Sequence, residues 1–165
     1  MANEELFLSE DDMKVYGRLD VARRDLADCV AYGDFIIKKG WNAKPWSRGS
    51  VYLQQTAFVT AMVVSYGRAF TKSKGWGVLP AALRGDFTEA EAAYHERIML
   101  DRHQMYAHSD SEFYPIRPFR SQYMSDITQY HVEEVSAERI RSLQAMCRKV
   151  IDACTREKDA IKSRY

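Results

Sequence analysis

The segment Ser136–Lys162, SAERIRSLQAMCRKVIDACTREKDAIK, decides the fold class. Ile140, Leu143, Met146 or Cys147, Val150, Ile151, Cys154 and Ile161 recur at three- and four-residue steps, the period of one buried face of a helix. Ser136 supplies a side-chain oxygen for the first free N–H groups, so the helix is expected to start there and run to about Lys162.

The same period appears three more times upstream. From about Asp12 to Lys38, Val15, Leu19, Ala22, Leu26, Cys29 or Val30, and Ile36 or Ile37 form a stripe. Ser9 serves as its N-cap, acids fill its first turn, and Lys38, Lys39 and Gly40 supply the stop. A loop from Trp41 to Gly49 leads into a second helix, about Ser50 to Phe70. Its broad stripe of Leu53 or Gln54, Ala57, Phe58, Ala61, Met62, Ser65, Tyr66, Ala69 and Phe70 makes it the most buried element. Residues Thr71 to Pro80 read as a loop, with a short helical turn at Ala81 to Leu83 before Gly85. Thr88 and Glu91 fit a capping box that opens a third helix through Ala93, Tyr94, Arg97, Ile98, Asp101, Met105 and His108, ending near Ser109 and Asp110. From Ser111 to Val135, Pro115 and Pro118 exclude a helix interior, leaving a long loop or one small hairpin. The expectation is an all-α chain, residues 1–165 forming one bundle of four to five helices.

A chain of 165 residues fits one domain with a real core, and the absence of repeats or a linker supports that reading. Lys and Arg number 24 against 23 Asp and Glu, so binding driven by bulk positive charge is excluded and any nucleic-acid contact must be local. The near-neutral total averages an acidic head, five acids and no base in residues 1–12, with a body of 24 bases and 18 acids. Cys29, Cys147 and Cys154 are odd in number, form no C-x-x-C pair and fall within apolar patterns, so they read as reduced, buried small hydrophobes. The acidic head is the opposite of a secretory or mitochondrial leader, and the apolar run Thr56 to Val64 is far shorter than the ~20 residues a membrane span requires. A cytoplasmic protein without membrane association is expected.

Several catalytic templates fail. Gly67 to Ser73 lacks the second glycine of a phosphate loop and follows a helix instead of a strand. His95-Glu96 would open a zinc-protease motif, but Met99 stands where the second histidine belongs. His108, Ser109 and Asp110 are adjacent, which denies them the mutual geometry of a catalytic triad. The densest group of titratable side chains is Asp101-Arg102-His103-Gln104-Met105-Tyr106-Ala107-His108, holding two of the four histidines. An imidazole that changes charge near neutral pH beside a planar guanidinium suits acid/base work with phosphate charge stabilisation, the requirements of RNA cleavage. At about 100° per residue, Arg102 and His108 stand about 120° off a common face. Either the helix loosens at its C-terminal end, or a second copy completes the site across a twofold axis. Asp101 and His108 share a face, so Asp101 reaches His108 only through a water or an intervening group. A plainer reading stays open: Arg102 and His103 solvated, and His108 capping the last carbonyls of its helix.

The run from Asp101 to Asp110, ending an all-helical chain's third helix, resembles the signature of the HEPN superfamily, an Arg and a His separated by four to six residues. Five intervene here, and His103 supplies the polar residue common after the Arg. Tyr66-Gly67-Arg68-Ala69-Phe70-Thr71-Lys72 also resembles a recurrent stretch in small members of that superfamily. The resemblance implies a helical bundle that dimerises, with Arg102 and His108 of both copies lining a cleft. It further implies a metal-independent endoribonuclease with no cofactor, in which the ribose 2′-OH attacks the adjacent phosphate. His108 is then the general base or acid, Arg102 stabilises the phosphorane charge, and His103 positions or assists. Many members are toxins or phage-defence effectors silenced by an antitoxin or a nucleotidyltransferase-like partner. Others keep the fold and only bind RNA or another protein, and that non-catalytic module is the alternative here. Arg68, Lys72 and Lys74 are candidates for the RNA backbone, Trp76, Tyr106 and Tyr114 for base stacking, and Arg117 and Arg120 for phosphate.

Overall fold

The computed structural model describes residues 5–44, 46, 48–107, 116–118, 126–128 and 136–165, with main chain alone at 105–107, 116–118 and 126–128. Among the described residues four α-helices carry the fold: α1 (Glu10–Lys39), α2 (Val51–Phe70), α3 (Glu89–Asp101) and α4 (Ala137–Lys162). The all-α class is as the sequence periodicity predicts.

Local chemistry sets the helix ends. Ser9 accepts from the Asp12 N–H at the start of α1, and Ser136 accepts from Arg139 at the start of α4. Thr88 and Glu91 form a reciprocal capping box on α3, tightened by Lys149, whose Nζ lies 2.7 Å from the Glu91 carboxylate and holds its pKa below the usual range. Gly40 closes α1 with φ of 61°, its N–H directed at the Ile36 and Ile37 carbonyls, a left-handed stop that glycine adopts without penalty. A single 3-10 turn, Ala81–Arg84, stands where a short helical turn is expected. Ahead of α4, two three-residue strands pair antiparallel, β1 (Ile116–Pro118) with β2 (Asp126–Thr128), with Arg117 opposite Ile127.

Helix α1 packs along both α2 and α4, and most of the core lies on these three elements, with Leu79 and, from α3, Ile98 joining it. Leu19, Ala22, Leu26, Cys29 and Ile36 meet Val59, Met62, Val63, Tyr66 and Ala69 on one side and Leu143, Met146, Cys147, Val150 and Cys154 on the other. Two stripe assignments need correction. Val15 is 41% exposed, and Leu53 is 72% exposed because the buried face of α2, through Gln55, Val59, Met62 and Tyr66, lies on the opposite side of the helix. At the start of α2 the buried position is Gln55, whose amide receives the Ala43 N–H at 2.8 Å and donates to the Ala43 carbonyl at 3.2 Å.

Polar side chains also latch the helices. Arg18 is only 2% exposed, and its Nη2 donates to carbonyls of Ala69 and Thr71 at the end of α2. Those carbonyls lack intrahelical donors, so a cation there both satisfies them and meets the negative end of the helix dipole. Gln144 of α4 donates to the Val30 carbonyl at 2.9 Å and to Asp34 at 2.8 Å. Lys158 binds Asp20 and lies 4.5 Å over the Tyr16 ring, and that hydrogen bond holds the Asp20 carboxyl below its ordinary value. The three cysteines are buried and free; Cys147 Sγ stands 3.7 Å from Cys29 Sγ.

Candidate functional site

Regular α geometry ends at Asp101. From Arg102 to Ala107 the chain continues in wider turns of the i→i+5 kind, and such single-turn widenings are frequent at functional sites. The rotation of about 100° per residue therefore stops applying where the Arg102 to His108 argument needs it. The main chain widens from Arg102 to Ala107, while the position of His108, on which the choice between the two solutions turns, is outside the described residues. His108, Tyr114 and Arg120 lie outside the described residues, as do the side chains of Tyr106 and Arg117.

Two adjacent side chains at this junction turn inward. Asp101 is buried and accepts from Arg97 Nε at 3.0 Å, one turn back on α3. Its Oδ2 is thus held within α3, while its buried Oδ1 has no hydrogen-bond partner among the described residues. Arg102 is half-buried, its aliphatic stem lying across Gly67 of α2. A β-carbon at Gly67 would stand 2.9 Å from Arg102 Cγ, 3.0 Å from Cδ and 3.2 Å from Nε, so only glycine leaves room for this approach. The Arg102 Nε is buried and has no hydrogen-bond partner among the described residues. The side-chain oxygen of Gln104, two residues along the widened turn, is in the same condition. A buried donor or acceptor left unsatisfied costs about 1–3 kcal/mol, so these two groups call for polar partners beyond the described side chains, as do the Arg18 Nε and Nη1 on α1.

The residues around this junction are fixed by one buried pair. Tyr66 OH and His95 Nδ1 are 2.8 Å apart, and the His95 ring stands edge-on to Phe70 at 4.7 Å. Burial pushes the His95 pKa down, as does the nearby Arg84 cation, and burial pushes the Tyr66 phenol up. Both groups stay neutral near pH 7, and the ring tautomer sets which of the two donates. Gly67, Tyr66 and His95 are site-building residues that the sequence does not single out by chemistry. An isolated glycine in a helix costs about 1 kcal/mol against alanine, and that cost at Gly67, beside the resemblance of Tyr66 to Lys72, is the signal for a close approach.

The remaining candidates disperse. His103 is exposed beside Arg102. Arg68 is ion-paired with Asp25 of α1 at 2.7 Å, and Lys72 is exposed in the loop after α2. Trp76 lies over Gly17 of α1 and leaves two-fifths of its surface to solvent. Among the described residues no group of three or more His, Cys, Asp or Glu is placed to hold a metal ion, and no helix is long and apolar enough to cross a membrane. Compared with protein-family models, curated proteins and solved structures, the chain gives no match.

Proposed function

We propose that the chain is a metal-independent endoribonuclease of the HEPN type, with Arg102 and His108 as its working pair. The observation that carries this reading is the unsatisfied Arg102 Nε, held on a widened turn over Gly67 beside an equally unsatisfied Gln104 oxygen. It joins the two stretches that resemble the superfamily, since Arg102 of one lies on Gly67 of the other.

In the reaction the ribose 2′-OH loses its proton to a base and its oxygen attacks the adjacent phosphorus. The P–O5′ bond breaks, the 5′-oxygen takes a proton, and the products carry a 2′,3′-cyclic phosphate and a 5′-hydroxyl. His108 serves the proton transfers, and Arg102 offers planar N–H donors to the equatorial phosphate oxygens as their charge grows. His103 positions the phosphate from the adjacent residue. Two copies of the chain bring their Arg102 residues to one cleft, and a protein partner, an antitoxin or a nucleotidyltransferase-like protein, holds the enzyme silent.

The test is RNA cleavage in excess chelator with Arg102→Ala and His108→Ala controls. Cleavage that yields cyclic phosphate ends and falls at least 100-fold in both variants is the expected result. RNA left intact, yet bound in a manner dependent on Arg102, would replace this reading with a non-catalytic RNA-binding module. RNA neither cut nor bound would leave a protein-interaction module.

A further inference from the structure

The charges of this chain are segregated along its length. Residues 35–85 contain eight Lys and Arg and not one Asp or Glu, so the rest of the chain holds all 23 acids against 16 bases. Half of those eight cations, Lys38, Lys39, Lys44 and Arg48, fall in the eleven residues that close α1 and lead into α2.

Aromatic rings are set among them. Trp46 leaves 78% of its surface in solvent at the crown of this loop. Phe35, itself at the surface, is stacked on Phe58 with ring centres 4.5 Å apart, and Trp41 stands edge-on to both. Lys39 Nζ lies 5.4 Å above the Phe35 ring. The loop is anchored, since the Gln55 amide holds Ala43 through both its N–H and its carbonyl. A ring face bordered by cations, on a chain that from 35 to 85 holds no carboxylate although Asp34 adjoins it, is the composition of a surface that stacks bases and neutralises their phosphates.

The layout favours a linear polyanion over a flat one. Helix α2 leads from this loop to Gly67 beneath Arg102, sixteen residues or about 24 Å at 1.5 Å per residue. Its exposed positions on the way are uncharged, among them Gln54 and Thr56, and further cations, Lys72 and Lys74, follow its end. We propose that the loop between α1 and α2 binds single-stranded RNA, with Trp46 as a stacking face and Lys38, Lys39, Lys44 and Arg48 as phosphate contacts. This holds the strand at a point remote from Arg102. That the polyanion is RNA rests on the reading of the Arg102 site above; the loop's preference for a single strand rests on its own chemistry.

Binding of a fluorescein-labelled 20-nucleotide 2′-O-methyl RNA, which lacks the attacking hydroxyl, separates capture from cleavage. Fluorescence anisotropy is followed across a salt series for the full chain, for Trp46→Ala, for Trp46→Phe and for the triple variant Lys39→Ala/Lys44→Ala/Arg48→Ala. Trp46→Ala should weaken binding on the order of 5- to 150-fold, and Trp46→Phe should recover most of it. The triple variant should flatten the slope of log affinity against log salt by about 2, at roughly 0.7 for each phosphate no longer neutralised. Affinities within twofold of the parent in both variants, or equal and Trp46-independent binding of duplex RNA, would overturn the proposal while leaving Arg102 chemistry intact. Binding to phosphatidylserine vesicles that needs Trp46, without binding to RNA, would overturn it in favour of a membrane surface. Conversely, Trp46-dependent RNA binding by a chain that cuts no RNA would uphold the loop and remove the ribonuclease.

Discussion

Replacing Gly67 with alanine puts one methyl group where the Arg102 stem now lies, and the consequences separate into two opposing terms. On α2 itself the change is favourable, because alanine exceeds glycine in a helix interior by about 1 kcal/mol. Against the neighbour it is unfavourable, because the new carbon would stand 2.9 to 3.2 Å from three consecutive atoms of the Arg102 side chain, closer than carbon atoms settle. Overpacking of this kind costs about 1–3 kcal/mol. Gly67→Ala alone is therefore expected to lie between about 2 kcal/mol destabilised and neutral. In an Arg102→Ala background the clash is gone and the same change should stabilise by about 1 kcal/mol. Urea unfolding of the parent, both single variants and the double variant, followed by circular dichroism, gives the coupling directly, and about 1–3 kcal/mol is expected. Coupling below about 0.5 kcal/mol would refute the close approach of Arg102 to Gly67. On the proposed function, Gly67→Ala should also cut RNA cleavage by about 100-fold, since a displacement of about 1 Å in a positioned group has that effect.

Three other expectations follow from the packing. Burial lowers the His95 pKa, so below its unfolded value of about 6.5 the unfolded chain takes up a proton that the folded chain resists, and stability falls as pH falls. Melting temperature should therefore drop between pH 7.5 and 5.5, a drop absent in His95→Gln; the carboxyls of Asp20 and Glu91, held low by their lysine partners, add their own loss only below about pH 4.5. A β-carbon at Gly17 would meet the Trp76 ring within 2.0 to 2.8 Å, so Gly17→Ala should expel the indole, shift tryptophan emission to the red and destabilise by about 1–3 kcal/mol; a more stable variant with unchanged emission would contradict this. Burial pushes the Cys154 thiol up to about 11, and a hydrogen bond with Cys29 together with burial raises Cys147; since Cys29, Cys147 and Cys154 are all fully buried, the three thiols should react with a disulfide reagent only as fast as the chain unfolds. Rapid labelling of the native protein would count against that packing.

How much could be read in advance depended on the distance over which each decision is taken. Ser9, Gly40, Thr88 with Glu91, and Ser136 act within four residues, and each ends or begins its helix where the sequence places it. The apolar stripe of α4 is buried from Ile140 to Cys154 because its partner α1 runs beside it for that length. Leu53 obeys the same period yet is exposed, since period alone does not say which side of α2 will face α1. Arg18, Gln55, His95 and Gln144 are polar residues that read as surface, and each is buried by a partner 12 to 114 positions away. Such pairings have no local signature. The candidate site divides likewise: Arg102 and His103 stand out by chemistry, while the widened turn and the glycine beneath Arg102 emerge only when α3 meets α2.

The two latches on the α1 and α2 pair also bear on the order in which the chain assembles. Gln55 closes a loop of 12 residues and Arg18 one of about 50, whereas the bonds that hold α4 to α1 close loops of 110 to 138. Loop-closure entropy grows with the logarithm of length, so the hairpin of α1 and α2 is the cheaper intermediate by that measure and should form before α4 docks. Native-state hydrogen exchange would then find α1 and α2 opening as one cooperative unit, with α4 able to detach and return while that unit persists.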